Sequence, residues 1–243
     1  MKRLVIVLIG ILFIVSLTGC MDIFTYNVFE SLDEPNVDTS ALDNMENDEA
    51  VQTIEKAAES EDFINDLADN PEKKEDVVKK LKDIVSSDNA DTETKEKAAV
   101  IGAEIELKTG GGDELLRNVT NLFTNETLTN SEATEEEKLT TAITTLMPED
   151  IVKTDSAGNI EITDKKKAAA VVDSLIQAGD FYTSLAGTLE GNDGGTYVNN
   201  DINAEEVAMN AVVCTTLGEI TDPDGDPATK DGALSWNDSR TAG

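Results

Sequence analysis

Apolar residues recur every three to four positions from about residue 48 to residue 221, which is the period of an amphipathic α-helix. In the segment 71–86, for example, Val77, Leu81 and Ile84 fall on one side of a helix. A strand would send such residues to alternating faces, because its side chains repeat every two positions. The sequence therefore predicts an all-α fold.

Local signals indicate where the helices begin and end. Asn70, which precedes a proline, and Asp91 and Asp164 are residues that cap helix amino termini. Thr134 is followed three residues later by a glutamate, the signature of a capping box. The glycines at 110–112 end one helix and predict a flexible joint to the next.

One segment departs from the helical period. Residues 151–163 contain two short β-prone runs, at 151–152 and at 160–162, on either side of turn-forming residues 155–159. This pattern predicts a single small hairpin between helices.

Two arrangements of the helices fit the sequence. Small residues at 98–99 with 102–103, at 168–170, and at Ala208 with Ala211 predict closely packed helices. Such helix pairs resemble tetratricopeptide-like solenoids. The runs are unevenly spaced, however, and the Trp, Tyr and Pro positions of that repeat are absent. We therefore expect an irregular antiparallel helical bundle, with a short helical solenoid as the alternative.

The amino terminus has the layout of an export signal. Lys2 and Arg3 precede an apolar run from Leu4 to Val15, and small residues follow it. The run is shorter than the roughly 20 residues that span a bilayer. We expect residues 1–19 to be a signal peptide.

The end of this segment, Leu17-Thr18-Gly19-Cys20, resembles the lipobox of bacterial lipoproteins. The resemblance implies cleavage before Cys20, a thioether-linked diacylglyceryl group on that cysteine, and a further chain such as palmitate on the new amino terminus. Two or more acyl chains hold a protein stably on a membrane. The expected location is the cell envelope outside the cytoplasm, on the outer membrane or the outer face of the cell membrane.

The remaining chain divides by composition. Residues 20–47 are expected to be the lipidated amino terminus and a linker, residues 48–221 the helical domain, and residues 222–243 a flexible acidic tail. The whole chain has a formal charge of −31, and cleavage leaves 17 basic against 50 acidic residues, or −33. Such a chain is repelled by nucleic acid, so we expect no nucleic-acid partner.

Composition also excludes most catalytic chemistry. The chain has no histidine, which rules out Ser-His-Asp and Cys-His nucleophiles and histidine-ligated zinc. Once Cys20 carries lipid, Cys214 is the only cysteine left, and its apolar surroundings predict a buried core residue. An enzyme here would have to work with groups such as carboxylates.

The best metal-like motif lies in the tail. Asp222, Asp224 and Asp226 alternate as carboxylates do in calcium-binding loops. The motif departs from the EF-hand, because Pro227 replaces the loop glycine and Ala233 the bidentate acid. The alternative interpretation is a solvated, turn-rich tail, and no other cofactor is indicated.

The leading hypothesis is a non-enzymatic envelope lipoprotein whose helical domain binds or scaffolds an unknown envelope protein. The first alternative is an accessory lipoprotein that binds a small molecule or calcium, and the second is a carboxylate-based enzyme. The acidic surface has two explanations as well, a cationic partner or simple solubility in a salty medium.

Overall fold

The computed structural model describes residues 37, 39–129, 132–148, 150–154, 160–190 and 197–221. Over these ranges the chain is almost entirely helical, which confirms the all-α prediction. The helices are α1 Thr39–Leu42, α2 Asn47–Ala58, α3 Glu61–Asp69, α4 Pro71–Ser86, α5 Thr92–Gly110, α6 Gly112–Thr124, α7 Glu126–Thr129, α8 Glu135–Leu146, α9 Lys165–Glu190 and α10 Ala204–Thr221.

The predicted caps hold the helix amino termini. The Asn70 side chain accepts a hydrogen bond from the Lys73 amide at 3.2 Å, and Asp91 accepts one from the Thr94 amide at 2.8 Å. Thr134 forms both halves of its capping box. These bonds satisfy amide groups that have no partner within their own helix.

The predicted hairpin is confirmed as two antiparallel strands, β1 Val152–Thr154 and β2 Ile160–Ile162. Val152 lies opposite Ile162, and the Val152 side chain is buried. The hairpin joins α8 to α9, while the expected turn at 155–159 lies outside the described residues.

Helix α5 lies at the centre of the bundle. It contacts α2, α3, α4, α6 and α9, so helices far apart in sequence share one core. In a solenoid each repeat would contact mainly its neighbours along the chain. The arrangement is therefore the irregular antiparallel bundle.

Helices α5 and α9 pack closely against each other. A Cβ at Gly102 would overlap the ring of Phe181, which is only 2% exposed. A Cβ at Gly112, just beyond α5, would lie 2.5 Å from the Ser174 hydroxyl oxygen. The small residues noted in the sequence thus allow the two helices to approach closely.

The folded domain begins earlier than the predicted boundary at residue 48. Val37 and Leu42 are buried, and α1 lies within the expected linker 20–47 and packs against α4. The Lys80 ammonium also donates to the Met45 carbonyl oxygen at 3.1 Å. Because Val37 and Leu42 belong to the core, the linker is shorter than predicted.

The sequence of α10 is apolar nearly all round, a pattern that predicts burial among several helices, and the structure differs from this expectation. Among the described helices, α10 shares an extended contact with α9 alone. Val207, Val213 and Cys214 are buried, whereas Ala208 is exposed and Val212 half-buried. Helix α10 therefore packs against one side of α9 and leaves part of its own apolar surface accessible. None of the described helices has both the length and the apolar composition needed to cross a bilayer.

Candidate functional site

The accessible surface of the central helix is a single stripe. Most of α5 is buried by its neighbours, and apart from Lys95 its accessible residues between positions 93 and 108 are spaced by three or four. Residues at this spacing lie on one face of a helix. The stripe consists of Glu93, Lys97, Val100, Glu104 and Lys108.

Two ion pairs run along the stripe. The Lys97 ammonium lies 3.0 Å from a Glu93 carboxylate oxygen, and the Lys108 ammonium lies 3.0 Å from a Glu104 oxygen. Both are exposed pairs one turn apart, which contribute little to stability. Both lysines therefore already have carboxylate partners within α5.

The side chains that lie beside the stripe are acidic. Burial raises the pKa of Glu55 on α2, and the charges of Glu59, Asp201 and Glu104 raise it further while Lys97 lowers it. These interactions place Asp201, in the segment before α10, near the same stretch of α5.

Helix α10 also contributes an acid close to the stripe. Burial raises the pKa of Glu206 in the first turn of this helix, and the charge of Glu104 raises it further. Glu104 thus interacts electrostatically with an acid of α2 and an acid of α10. We call this surface the acidic groove: the α5 stripe with Glu55, Glu59, Asp201 and Glu206 along its edges.

Two polar side chains are buried together where α9 and α10 meet. The Asn210 amide nitrogen donates to the Tyr182 hydroxyl at 3.3 Å, which links α10 to α9. The Asn210 side-chain oxygen is buried and has no hydrogen-bond partner among the described residues. Burial raises the pKa of Tyr182, and the charges of Glu104 and Glu206 add to the shift. Asn210 and Tyr182 are therefore near both carboxylates.

A buried carboxylate of α5 holds the segment that precedes α10 in place through hydrogen bonds. Glu96 is fully buried on α5 and accepts hydrogen bonds from the Val198 amide at 3.1 Å and the Asn199 amide at 2.8 Å. The Thr188 hydroxyl donates to the same carboxylate at 3.2 Å. Three donors compensate for removing the carboxylate from water. Glu96 thereby positions residues 197–201, including Asp201.

A second buried acid on α5 has a cation as its partner. Glu106 is 4% exposed, and one of its carboxylate oxygens lies 2.5 Å from the Lys74 ammonium of α4. This pair joins α4 to α5 on a different side from the groove. We interpret it as structural.

The sequence-predicted site residues fall in different places. Cys20, the expected lipidation site, lies outside the described residues. Asp222, Asp224 and Asp226 do so too, and both assignments stay predictions. Cys214 is fully buried, and burial raises its thiol pKa to about 12. Its predicted place in the core is confirmed.

Sequence reasoning did not find the acidic groove. In the sequence, Glu206 lies in the first turn of a helix, where a negative charge is favourable without any further role. Glu93, Lys97, Glu104 and Lys108 follow the ordinary pattern of a solvated helix face. The available signal was the even spacing of charged residues along an otherwise apolar helix.

No family model, no curated protein and no solved structure matches this chain. Within the part of the chain that the structure describes, no three acidic or cysteine side chains converge closely enough to hold a metal ion. The acids of the groove are therefore distributed along it.

Proposed function

We propose that this chain is a non-enzymatic lipoprotein of the bacterial cell envelope, tethered by lipid on Cys20, whose helical domain binds a positively charged partner protein. The observation that carries the binding role is the acidic groove, an accessible face of the central helix bordered by carboxylates from two other parts of the fold.

The lipid anchor is supported by the first twenty residues. A basic start, a short apolar run and Leu17-Thr18-Gly19-Cys20 together resemble a lipoprotein signal. The anchor is tested by the mass of the amino-terminal peptide of the mature protein. We expect a diacylglyceryl-modified Cys20 with no residues before it, and a Cys20→Ser chain that leaves the membrane fraction.

The partner's charge is inferred from the groove. Six acids lie along it, and the two lysines of the stripe each pair with a glutamate of α5. The acids are Glu55, Glu59, Glu93, Glu104, Asp201 and Glu206. Complementary charge steers a partner to its site and selects against partners of the same sign. We therefore expect the partner to be an envelope protein with a basic surface.

A non-enzymatic role is supported by composition. Without histidine, acid–base chemistry near neutral pH would need carboxylates with well-separated pKa values in one cleft. The two groove acids with shifted pKa values, Glu55 and Glu206, shift in the same direction, because burial raises both. Binding is the simpler use of such a surface.

Site-directed photo-crosslinking tests the binding role. A photoreactive residue at Glu59, exposed at the groove edge, should trap a partner in envelope membranes, whereas one at Asp83 on the exposed side of α4 should not. Salt at about 0.5 M should suppress the product, because exposed charges are then strongly screened.

Charge-neutralising variants separate the groove from the overall charge of the protein. Glu55→Gln combined with Glu206→Gln should reduce crosslinking from position 59. Glu72→Gln combined with Asp83→Asn removes the same number of charges from exposed positions on α4 and should leave it unchanged. Equal losses in both double variants would contradict the assignment of the groove.

A further inference from the structure

Helix α10 is attached to the bundle by fewer buried apolar side chains than the central helix. Within residues 204–216, the buried apolar positions are Val207, Val213 and Cys214, and Asn210 is buried between them. The Asn210 side-chain oxygen has no hydrogen-bond partner among the described residues, which costs free energy in the docked state. Elements with few buried apolar contacts open more easily than a core, so we expect α10 to separate before the other long helices do.

The segment before α10 has a polar attachment to α5. The amides of Val198 and Asn199 donate to the buried Glu96 carboxylate at 3.1 and 2.8 Å, and Thr188 of α9 supplies the third donor. Hydrogen bonds to an ionised carboxylate are stronger than bonds between neutral groups. Two of the three bonds exist only while the segment is docked, so Glu96 favours the docked state.

Local hydrogen bonds join this segment to α10. The Asn199 side chain accepts from the Asp201 amide at 3.0 Å. The Asn203 side chain then accepts from the Glu205 and Glu206 amides at 3.1 and 3.3 Å, which caps the helix. None of these bonds involves the rest of the bundle, so all of them persist if the region separates. The segment and the helix therefore move together.

We propose that residues 197–221 form a latch, which opens from α5 and α9 as one unit while the rest of the bundle stays folded, and that Glu96 holds the latch closed. Asp201 and Glu206 belong both to the latch and to the acidic groove. Binding at the groove and closure of the latch therefore favour each other. The opening itself is independent of the proposed function, whereas this coupling rests on it.

Native-state hydrogen exchange of the full mature chain in detergent micelles tests the opening without any variant. Amides at 198–199 and 207–214 should share one opening equilibrium, at least about tenfold more favourable than that of amides 98–107 in α5. It should also depend less on urea than global unfolding does, because it exposes less surface. The same opening equilibrium and urea dependence in the latch and in α5 would overturn the proposal.

Leu81→Ala separates local opening from global unfolding. Leu81 is fully buried on α4, and its truncation destabilises the bundle in both the closed and the open state. Amides 98–107 should exchange at least about tenfold faster, whereas the latch amides should stay within about twofold. Equal acceleration of the two sets would mean that the latch opens only when the whole protein unfolds.

Glu96→Gln tests what holds the latch closed. The substitution keeps the shape of the side chain but replaces one acceptor oxygen by an NH2 group, which cannot accept. Amides at 198–199 and at 207–214 should exchange about tenfold faster by a common factor. Acceleration at 198–199 alone would overturn the single unit. The matched control is Glu93→Gln, which removes an exposed charge from the same helix and should change latch exchange by less than about twofold.

A disulfide can fix the latch in its closed state. A Cβ built at Gly179 of α9 lies 3.5 Å from the Cys214 Cβ, a separation that a disulfide can span. Oxidised Gly179→Cys should exchange its latch amides at least about tenfold more slowly than the same chain in dithiothreitol. Unchanged exchange after oxidation, with the disulfide verified by mass, would show that α10 does not leave α9 and would overturn the proposal.

The latch and the proposed function can fail separately. A hexalysine peptide serves as the positively charged probe, and its binding should slow exchange of the latch amides. This protection should be lost in Glu55→Gln/Glu206→Gln and kept in Glu72→Gln/Asp83→Asn. Hexalysine binding that leaves latch exchange unchanged would overturn the coupling. Opening as expected, without a crosslinked partner at position 59, would overturn the proposed partner protein and support the latch.

Discussion

The crossing of α5 and α9 makes a sharp prediction at Gly102. In Gly102→Ala the new methyl group would overlap three atoms of the Phe181 ring. Phe181 is 2% exposed, so its ring cannot turn into solvent to relieve the contact. The two helices must separate, and the variant should be less stable although alanine is the better helix former.

The size of the effect follows from two opposing terms. Overpacking a well-filled core costs about 1–3 kcal/mol, and we take the upper end because the contact is with a fully enclosed ring. Replacing a glycine inside a helix by alanine returns about 1 kcal/mol. The net expectation is a loss of about 2 kcal/mol in the free energy of unfolding.

The chain provides a matched control at Gly187, inside α9, where a Cβ would meet no atom within 4 Å. Gly187→Ala should therefore stabilise the protein by about 0.5–1 kcal/mol. Urea unfolding of the mature chain followed by circular dichroism measures both changes. A Gly102→Ala variant as stable as Gly187→Ala would refute the close crossing, and Phe181→Leu should partly rescue Gly102→Ala if it is correct.

Other parts of the fold make independent predictions. Glu96→Ala should lower the free energy of unfolding by about 3–5 kcal/mol, because the Val198 and Asn199 amides lose their shared acceptor, and hydrogen exchange at both amides should accelerate. Unchanged hydrogen exchange at these two amides would contradict their hydrogen bonds to Glu96. Thr134→Ala should cost about 1 kcal/mol in urea unfolding, because it removes a capping box. Cys214 should react slowly with iodoacetamide at pH 8 and rapidly in denaturant, because burial raises its pKa to about 12.

The groove depends on the central position of α5. Five other helices cover this helix, and the stripe is the face that they leave accessible. Packed helices on both sides hold this surface in one conformation. Binding a partner therefore costs less conformational entropy than it would for a flexible surface. Glu96 extends this rigidity to the segment before α10, because it ties residues 198–199 to the same helix.

Much of the local structure follows from sequence alone, because caps and turns depend on residues within one helical turn of each other. Asn70, Asp91 and Thr134 each bond an amide three residues away, so the helix starts could be located without any knowledge of the tertiary fold. The hairpin likewise uses pairing across a short connection. The expected lipid anchor at Cys20 is likewise predicted from a purely local motif.

The candidate site could not be predicted in the same way. Glutamate is usually exposed, and nothing near Glu96 in sequence indicates that it would be buried, since two of its donors are the amides at 198 and 199. Glu104 and Glu206 influence each other only because α5 and α10 both pack against α9. The sequence by itself determined the helices, their ends and the expected anchor. The tertiary packing decided which faces stay open, because burial depends on contacts between residues about a hundred positions apart.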